Sequence, residues 1–374
     1  MAIEDLGDNV RRLMKLQELT IPALASLADM GTASISNILN GKTVPKSSTL
    51  INLANALKVP IQDLLADAPD LHSLRFRTAK TLSAREKAER DQIRHLTARW
   101  IEDYRFLEQT LQSEPAYQFA NIPRGSPRAA AQAIRKQLGL GSEPIHDIVQ
   151  VVTDAGVKLR LVSFGFKKTF GLSLGEADGG PAIVVNTQEG ISVERQIFTI
   201  AHELGHLILH LDSFGTDEDI EVEKEEDEAN LFAGQLLLPD DALVKDWGTT
   251  RGMFWVDAVL KLKKKYRVSY VTVLTRLRQT IVDSPDNLIV QFRFAYKQRY
   301  GHDLKDFYEP DAIEGPVASK EEDGLSPSDL AGDRFSRMVI EAYEKDVISL
   351  GRGAEMLGCS IDDMRALVKG WQDL

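Results

Sequence analysis

Two histidines four residues apart are the clearest chemical signal in this sequence. His202 and His206 lie in the segment HELGH, and Glu203 follows the first of them. Residues i and i+4 share one face of a helix, so both imidazoles can bind a single metal ion. A carboxylate beside such an ion can accept a proton from water. The spacing therefore predicts a hydrolytic zinc site with Glu203 as the general base.

The residues around HELGH indicate that its helix is buried. Six apolar side chains flank the histidines: Ile197, Ile200, Ala201, Leu204, Leu207 and Ile208. Buried imidazoles and carboxylates cost free energy unless they are paired or bind a metal. The alternative interpretation is a core helix whose two histidines are satisfied by hydrogen bonds.

A catalytic zinc ion takes three protein ligands, so one more is required. The continuation HExxHxxGxxH is not present, because Leu209 and Asp212 stand at its last two positions. His210 lies one turn further along the helix. Three histidines on one straight helical stripe cannot converge on one ion, so we expect His210 at the helix end, stacked on its neighbours.

A carboxylate downstream is the remaining candidate for the third ligand. The segment 225–239 predicts a second amphipathic helix, and Glu226 leads its stripe of small residues. Glu228 points away from that stripe in a regular helix. We expect Glu226 to be the third ligand and keep Glu228 as the alternative. The acidic run 217–228 is otherwise predicted to be a solvated loop. Two histidines and a carboxylate suit zinc, and manganese binds the same donors.

The elements that must position these residues predict an α+β fold that is mostly helical. We divide the chain into an all-α N-terminal domain, a long linker helix, a mixed domain that carries HELGH, and a helical C-terminal region that is a candidate interaction or sensor module. Their boundaries are 1–67, 68–120, 121–245 and 246–374. A polar loop around 315–329 interrupts the last region.

The mixed domain should contain a small sheet. The segments 157–164 and 182–186 are rich in β-branched residues. Glycines in 171–180, between them, supply turn residues, so the pattern predicts an antiparallel sheet.

One apolar stripe runs along the linker helix. Its members are Ile93, Leu96, Trp100, Tyr104, Leu107 and Leu111. A stripe flanked by charged residues suits either a surface helix or a short dimer seam, which makes a homodimer a candidate assembly.

Composition excludes several classes of protein. The chain has 374 residues, a net charge of −11 and one cysteine, Cys359, which excludes internal disulfides and cysteine-based zinc clusters within one chain. No apolar run approaches the ~20 residues of a membrane span. The N-terminus is charged and amphipathic, so we expect a soluble cytoplasmic protein with no membrane partner. The acidic balance argues against indiscriminate nucleic-acid binding.

Residues 129–240 resemble the ImmA/IrrE family of zinc-dependent metallopeptidases. The matching pieces occur in the family's order and are 133–162, IVVN (183–186), ERQIFTIAHELGHLILH (194–210) and ExxANLFAGQLLLP (226–239). The resemblance implies a gluzincin-like metallopeptidase with His202, His206 and Glu226 as zinc ligands and Glu203 as general base. It also implies a substrate class, because family members typically cut a helix-turn-helix repressor.

Residues 20–65 resemble a Cro-repressor-like (Xre) helix-turn-helix domain. Thr20 is placed to cap a helix with Pro22 in its first turn, and Asp29 occupies the turn position that is usually glycine. The resemblance implies a recognition helix near 31–39 that presents four residues to DNA bases: Thr32, Ala33, Ser36 and Asn37.

Two features keep a second interpretation of this domain open. Ile21 stands where the family usually has a glutamine that contacts the DNA backbone. The domain also has one acidic residue more than basic ones, whereas a strong non-specific DNA binder shows a basic footprint. The alternative is a fold kept for docking onto a related repressor protein.

Three functions follow from these resemblances. The first is a zinc metalloendopeptidase that cleaves a repressor or antitoxin, directed by the helix-turn-helix domain. The second is a DNA-binding transcriptional regulator whose peptidase-like domain mainly senses a ligand. The third is a non-enzymatic, antitoxin-like regulator that acts through protein interactions.

Overall fold

The computed structural model contains two compact units. The N-terminal unit comprises Met1–Leu71 and Ala79–Glu102, and the C-terminal unit comprises His72–Thr78 and Asp103–Leu374. The residues that the structure describes are 3–59, 61–65, 71, 74–76, 84–164, 169–214, 223–281, 287–301, 303–304, 309–310, 325–330 and 334–372.

The secondary-structure elements in the described residues of the N-terminal unit are all helices. Its helices are α1 (Ile3–Leu16), α2 (Ile21–Leu27), α3 (Thr32–Leu39), α4 (Ser47–Leu57), α5 (Ile61–Leu65) and the first part of α6 (Ala84–Leu111). The Thr20 side chain accepts a hydrogen bond from the Ala23 amide and caps α2, as predicted. Asp29 has a φ of 52°, which confirms the left-handed turn between α2 and α3.

The face of α3 that is turned to solvent carries the residues predicted to contact DNA. Ile35 and Ile38 are buried, while Thr32, Ala33 and Asn37 are exposed and Ser36 is half-buried. Gly7 allows α1 to approach this helix closely, since a Cβ at Gly7 would lie 2.5 Å from the Leu39 carbonyl oxygen. The unit therefore presents one polar helical face on a tightly packed support.

The C-terminal unit combines a small sheet with many helices. Its strands are β1 (Leu74–Phe76), β2 (Lys158–Val162), β3 (Gly171–Leu174) and β4 (Ala182–Asn186). Its helices after the end of α6 are α7 (Pro127–Gln137), α8 (Ile148–Asp154), α9 (Val193–Leu209), α10 (Glu223–Leu237), α11 (Asp240–Thr249), α12 (Trp255–Tyr266), α13 (Tyr270–Thr280), α14 (Leu288–Tyr300), α15 (Arg334–Glu344), α16 (Leu350–Leu357) and α17 (Ile361–Gln372). The predicted mostly helical α+β class is confirmed.

The sheet differs from the prediction in one respect. Its order is β1-β3-β4-β2, and β2 pairs with β4 in parallel, whereas β3 is antiparallel to both β1 and β4. The purely antiparallel prediction is wrong because residues 171–174, predicted as part of a turn, form β3. An additional strand reverses the chain once more, so β4 runs in the same direction as β2.

One hydrophobic core joins the sheet to the helices on both sides of α9. It includes Leu159, Ile183, Leu204 and Phe232, and it continues beyond residue 245 into α12, α13 and α14 through side chains such as Val259. The domain boundaries given above stay predictions. The core surrounds α9, so the HELGH segment lies at the centre of the unit rather than at its edge.

The predicted linker helix corresponds to α6, although the helix itself is shorter than 68–120. In its second half Tyr104 and Leu107 are fully buried, and the Tyr104 ring stacks on Phe335 of α15 at 5.5 Å between centroids. Arg334 donates hydrogen bonds to Glu108 and Tyr104 at the same contact. This part of the stripe is covered by the chain itself, and the homodimer stays a prediction.

Some predicted segments lie partly outside the described residues. Positions 217–222 of the acidic run and 315–324 of the polar loop are among them. Residues 223–228 of the acidic run form the beginning of α10 rather than a loop. Among the helices that the structure describes, none has the length and apolar character needed to span a membrane.

A buried ionic cluster connects the start of α9 to α12. The Lys263 ammonium contacts Glu194 and lies 3.7 Å from Glu309. Burial is the main reason that the pKa of Glu309 rises to about 7, with the Glu194 charge adding to the increase and Lys263 opposing it. The carboxylates of Glu194 and Glu309 therefore share the Lys263 ammonium in a buried environment.

Glu309→Gln should remove a pH-dependent loss of stability. Because the folded-state pKa of Glu309 is raised, the folded protein keeps this proton while the unfolded chain loses it, so stability falls as pH rises from about 4.5 to about 7. At pH 8 the variant should be more stable than wild type, by on the order of 2 kcal/mol. At pH 4.5 the two proteins should differ little. Urea unfolding at both pH values measures this, and an equal difference at both would contradict it.

Candidate metal centre

The helix that carries HELGH is held by close approaches on two sides. Ser192 caps its start by accepting a hydrogen bond from the Arg195 amide, and α9 packs between the sheet and α10. A Cβ at Gly171 of β3 would lie 2.5 Å from Thr199 Cγ2, and one at Gly205 would lie 2.9 Å from Phe232 Cδ1 and 3.3 Å from Ala229 Cα. Glycine at these two positions lets β3 and α10 reach α9.

These approaches bring two imidazoles and a carboxylate together. His202 and His206 are each 2% exposed and Glu226 is 5% exposed. The two Nε2 atoms are 3.0 Å apart, and Glu226 Oε2 and Oε1 lie 3.3 Å from His202 Nε2 and 3.1 Å from His206 Nε2. Their candidate ligand atoms all lie within 4.8 Å of one another.

The arrangement fits a zinc ion. Ligand atoms about 2.0–2.1 Å from a tetrahedral zinc lie about 3.3 Å from one another, close to the three distances above. When both rings are neutral with their protons on Nδ1, two nitrogen lone pairs and a carboxylate converge. Three such acceptors require a cation or a shared proton between them. The set of two imidazoles and one carboxylate is typical of a catalytic zinc site.

The charge state of Glu226 also suits a metal ligand. Burial by itself would raise the pKa of Glu226, but hydrogen bonding and charge from His202 and His206 outweigh burial and hold the pKa well below its usual range. This lowering belongs to the state in which the imidazoles carry protons on Nε2, which a metal ion would replace. Glu226 is therefore an anion at neutral pH, and metal ligands must be deprotonated.

Each histidine has a partner for its second nitrogen. His202 Nδ1 lies 3.0 Å from Asn230 Oδ1, one turn after Glu226 on α10. Since an amide oxygen only accepts, this contact places the His202 proton on Nδ1 and leaves Nε2 for a metal.

His206 is oriented through a longer chain of contacts. Its Nδ1 lies 2.9 Å from His210 Nδ1, and His210 Nε2 lies 3.0 Å from Glu228 Oε2. If His210 donates to the Glu228 carboxylate, its Nδ1 is an acceptor, and His206 then donates from Nδ1. The chain from Glu228 to His206 therefore also leaves the His206 Nε2 lone pair facing Glu226.

The predicted general base lies beside this cluster on the sheet side. Glu203 is 3% exposed, and its Oε2 accepts a hydrogen bond of 2.8 Å from Ser173 Oγ of β3. Glu203 directly follows the candidate ligand His202 in the chain, and this hydrogen bond orients its carboxylate.

A cavity of about 550 Å³ lies beside Asn230, whose side chain contacts His202. Arg195 and Phe198 of α9, Asn230 of α10 and Thr272 of α13 are among its lining residues. Phe198 contacts the His202 ring at 6.4 Å between centroids, so two lining residues of the cavity, Phe198 and Asn230, touch this candidate ligand. It offers space in which part of a peptide could lie.

The structure brings together three of the residues predicted from the sequence, namely His202, His206 and Glu226, while the carboxylate of the neighbouring Glu203 contacts Ser173. Glu228, the alternative third ligand, instead contacts His210, which links two side chains rather than only stacking on its neighbours. The predicted DNA contacts Thr32, Ala33, Ser36 and Asn37 lie on α3 in the other unit. The functional roles of all these residues stay predictions.

The supporting contacts of three residues of the site were not predicted from the sequence. Asn230 lies four positions after Glu226 on the same stripe, so helical spacing could have identified it. His210 was noticed, but its link to Glu228 depends on how α9 and α10 pack. Ser173 has no local signal, because its role depends on the approach of β3 to α9.

Two protein families match this chain. The helix-turn-helix family matches residues 10–64, and the IrrE N-terminal-like domain family matches residues 153–278. The chain is 33% identical over 109 residues to the HTH-type transcriptional repressor RghR of Bacillus subtilis (strain 168), which covers 28% of this chain and 81% of that protein. It is 41% identical over 63 residues to the uncharacterized HTH-type transcriptional regulator RghRB of the same strain, which covers 17% of this chain and 45% of that protein.

Removing the partners of the two imidazoles should weaken zinc binding without removing a ligand. We expect Asn230→Ala and Glu228→Ala each to lower zinc affinity by about 10-fold to 100-fold, because each loses the contact that orients a histidine. Asp227→Ala is the matched control, since Asp227 is an exposed carboxylate on the same helix. Competition with a chromophoric chelator measures the affinities. If Asp227→Ala weakened binding as much, the general charge of α10 would be the cause.

Proposed function

This chain belongs to the Xre-type helix-turn-helix regulators and carries an IrrE/ImmA-like domain, and from that premise we propose that it is a zinc-dependent metalloendopeptidase. The observation that carries the proposal is the buried convergence of His202, His206 and Glu226 next to Glu203. Metal binding is the simplest explanation for a buried cluster of two imidazoles and a carboxylate, because such groups cost free energy in a core unless they are paired or bind a metal.

His202, His206 and Glu226 would hold the ion, with manganese as the alternative to zinc. Zinc bound there would supply a Lewis acid that polarises a water molecule and the scissile carbonyl. Other residues of the chain orient the side chains that would hold the ion. Asn230 and the pair of His210 and Glu228 keep each imidazole in one orientation.

Glu203 would carry the proton in this reaction. Its carboxylate accepts a proton from the attacking water and later gives it to the leaving amine nitrogen. The hydrogen bond from Ser173 holds one carboxylate oxygen, which orients the other for proton transfer. The scissile C–N bond breaks, and the water is divided between the new carboxyl and amino termini.

The proposed substrate is a repressor or antitoxin protein. The similarity to RghR, a transcriptional repressor, and the helix-turn-helix domain support a role in transcription regulation. In this proposal the helix-turn-helix domain brings the peptidase to DNA or to a related repressor. The protein would act in the cytoplasm, where such a regulator meets both.

Glu203→Gln should separate metal binding from catalysis. The variant keeps all three proposed ligands, so its zinc content should match wild type, while cleavage should fall by at least about 100-fold because a general base is lost. Glu223→Gln, which alters an exposed carboxylate at the start of α10, should cleave normally. Co-expression with candidate helix-turn-helix repressors from the same genome, followed by mass spectrometry of fragments, is the measurement. Wild-type cleavage by Glu203→Gln would exclude this mechanism.

A second candidate function is DNA binding with little turnover, in which the IrrE-like domain senses a ligand. The exposed polar face of α3 and the similarity to a repressor favour it. A non-enzymatic, antitoxin-like regulator is the third, and it would require that neither cleavage nor DNA binding be found.

Substitutions on α3 test the second function. Thr32→Ala with Asn37→Ala should weaken binding to DNA flanking the gene by at least about 10-fold, because each contact to a base edge contributes about 1–3 kcal/mol. Ser26→Ala, on the exposed surface of α2, is the control and should bind as wild type does. Electrophoretic mobility shift is the measurement. An unchanged shift in the double variant would exclude direct base readout by α3.

A further inference from the structure

A short strand from the linker lies along the edge of the sheet. β1 pairs with β3 in antiparallel orientation, with Leu74 opposite Leu174, Arg75 opposite Ser173 and Phe76 opposite Leu172. β4 covers the other edge of β3. β1 therefore takes up the hydrogen-bonding edge of β3 that β4 leaves open.

β3 is also the strand that lies against the proposed catalytic base. Ser173 Oγ donates a hydrogen bond of 2.8 Å to Glu203 Oε2. A Cβ at Gly171 would lie only 3.2 Å from Glu203 Cγ, which shows how near the backbone of β3 comes to this side chain. A residue that pairs with β3 opposite Ser173 is therefore the direct neighbour of the side chain that contacts Glu203.

Extended peptides bind to open sheet edges by adding a strand, because the edge presents unpaired N–H and C=O groups. We propose that the linker residues Leu74–Phe76 close the edge of β3, residues 171–174, against any other extended peptide that would pair with it. That the peptide is a substrate rests on the proposed function. The binding site itself rests on the pairing of β1 with β3.

The pairing also indicates what kind of peptide fits. Successive side chains of a strand point to opposite faces, so Leu172 and Leu174 point away from the face on which Ser173 contacts Glu203. Both leucines are fully buried. Opposite them stand Phe76 and Leu74. The site therefore takes an extended segment with apolar residues at alternate positions.

The linker competes with any other peptide because it belongs to the same chain. Residues 72–78 cluster with the C-terminal unit, although the chain on either side of them, 1–71 and 79–102, belongs to the N-terminal unit. A tethered segment has an effective concentration on the order of millimolar or higher. A separate peptide at a lower concentration displaces the linker only if it binds more tightly than the linker does. The site should therefore be largely closed in the intact chain.

Peptide binding to a variant without β1 tests the proposal. The full chain with Glu203→Gln, which prevents hydrolysis of the probe, is compared with the same chain that also carries Leu74→Gly, Arg75→Ser and Phe76→Gly. The probe is a fluorescent synthetic peptide with the sequence of residues 71–80, LHSLRFRTAK. We expect at least 10-fold tighter binding to the variant without β1, and slower hydrogen exchange at the amides of residues 171–174 when the peptide is added.

Two controls make the result specific. A peptide with proline at the positions of Leu74 and Arg75 should not bind, because successive N–H groups of a strand point to opposite sides and one of the two must face β3. The matched protein control carries Arg251→Ser and Met253→Gly in an exposed turn of the same unit and should bind the probe as weakly as the intact chain does.

Two results would overturn the proposal. One is equal binding of the probe to the chains with and without β1. The other is binding with no change in exchange at residues 171–174, which would place the peptide elsewhere. A misfolded variant would not gain binding and protection at β3 together. Because binding is measured without hydrolysis, its failure leaves the cleavage experiment intact, and failure to cleave leaves the binding result intact.

Discussion

The burial of two imidazoles and two carboxylates around α9 is the constraint on which the C-terminal unit depends. Such groups are tolerated in a core only if each is paired, so the elements around α9 must come close enough to supply partners. α10 does so across Gly205, and β3 does so across Gly171. The small residues of these elements thus serve the polar site. A larger residue at either glycine would separate the groups that stabilise one another.

The partners of the cluster are arranged by helix period. On α9, His202, His206 and His210 recur every fourth residue, and on α10 Glu226 and Asn230 do the same. Two facing stripes with one spacing can pair at two levels at once, which is why His202 meets Asn230 and His206 meets Glu226, whereas His210 meets Glu228, which lies off that stripe. The result fixes the orientation of both proposed ligand histidines. Repulsion among the three converging acceptors is the feature that a cation would relieve.

The parts of this site that follow from local periodicity could be predicted, and the parts that follow from pairing between distant segments could not. HELGH and the stripe of Glu226 are helical patterns, and the Thr20 cap and the Asp29 turn are local backbone features. The strand 171–174 has only four residues and begins with glycine, so its composition resembles a turn. One of its pairing partners, β1, lies about 100 residues earlier in the chain, whereas the other, β4, follows closely. Because this strand was not predicted, the parallel pairing of β2 with β4 and the contact of Ser173 with Glu203 could not be predicted either.

The edge of β3 connects the stability of the sheet with access to the site. An open edge next to the proposed catalytic carboxylate would present unpaired backbone groups to any extended segment, which is both the requirement for binding a peptide and a risk of unwanted pairing. A strand of only three residues is a weak cover, because few hydrogen bonds hold it and a longer segment could form more. Covering the edge with the chain's own linker thus protects the sheet from unwanted pairing. It also sets the affinity that another peptide must exceed in order to bind. Selection among peptides then depends on how well they replace Leu74–Phe76 rather than on contacts at the metal ligands.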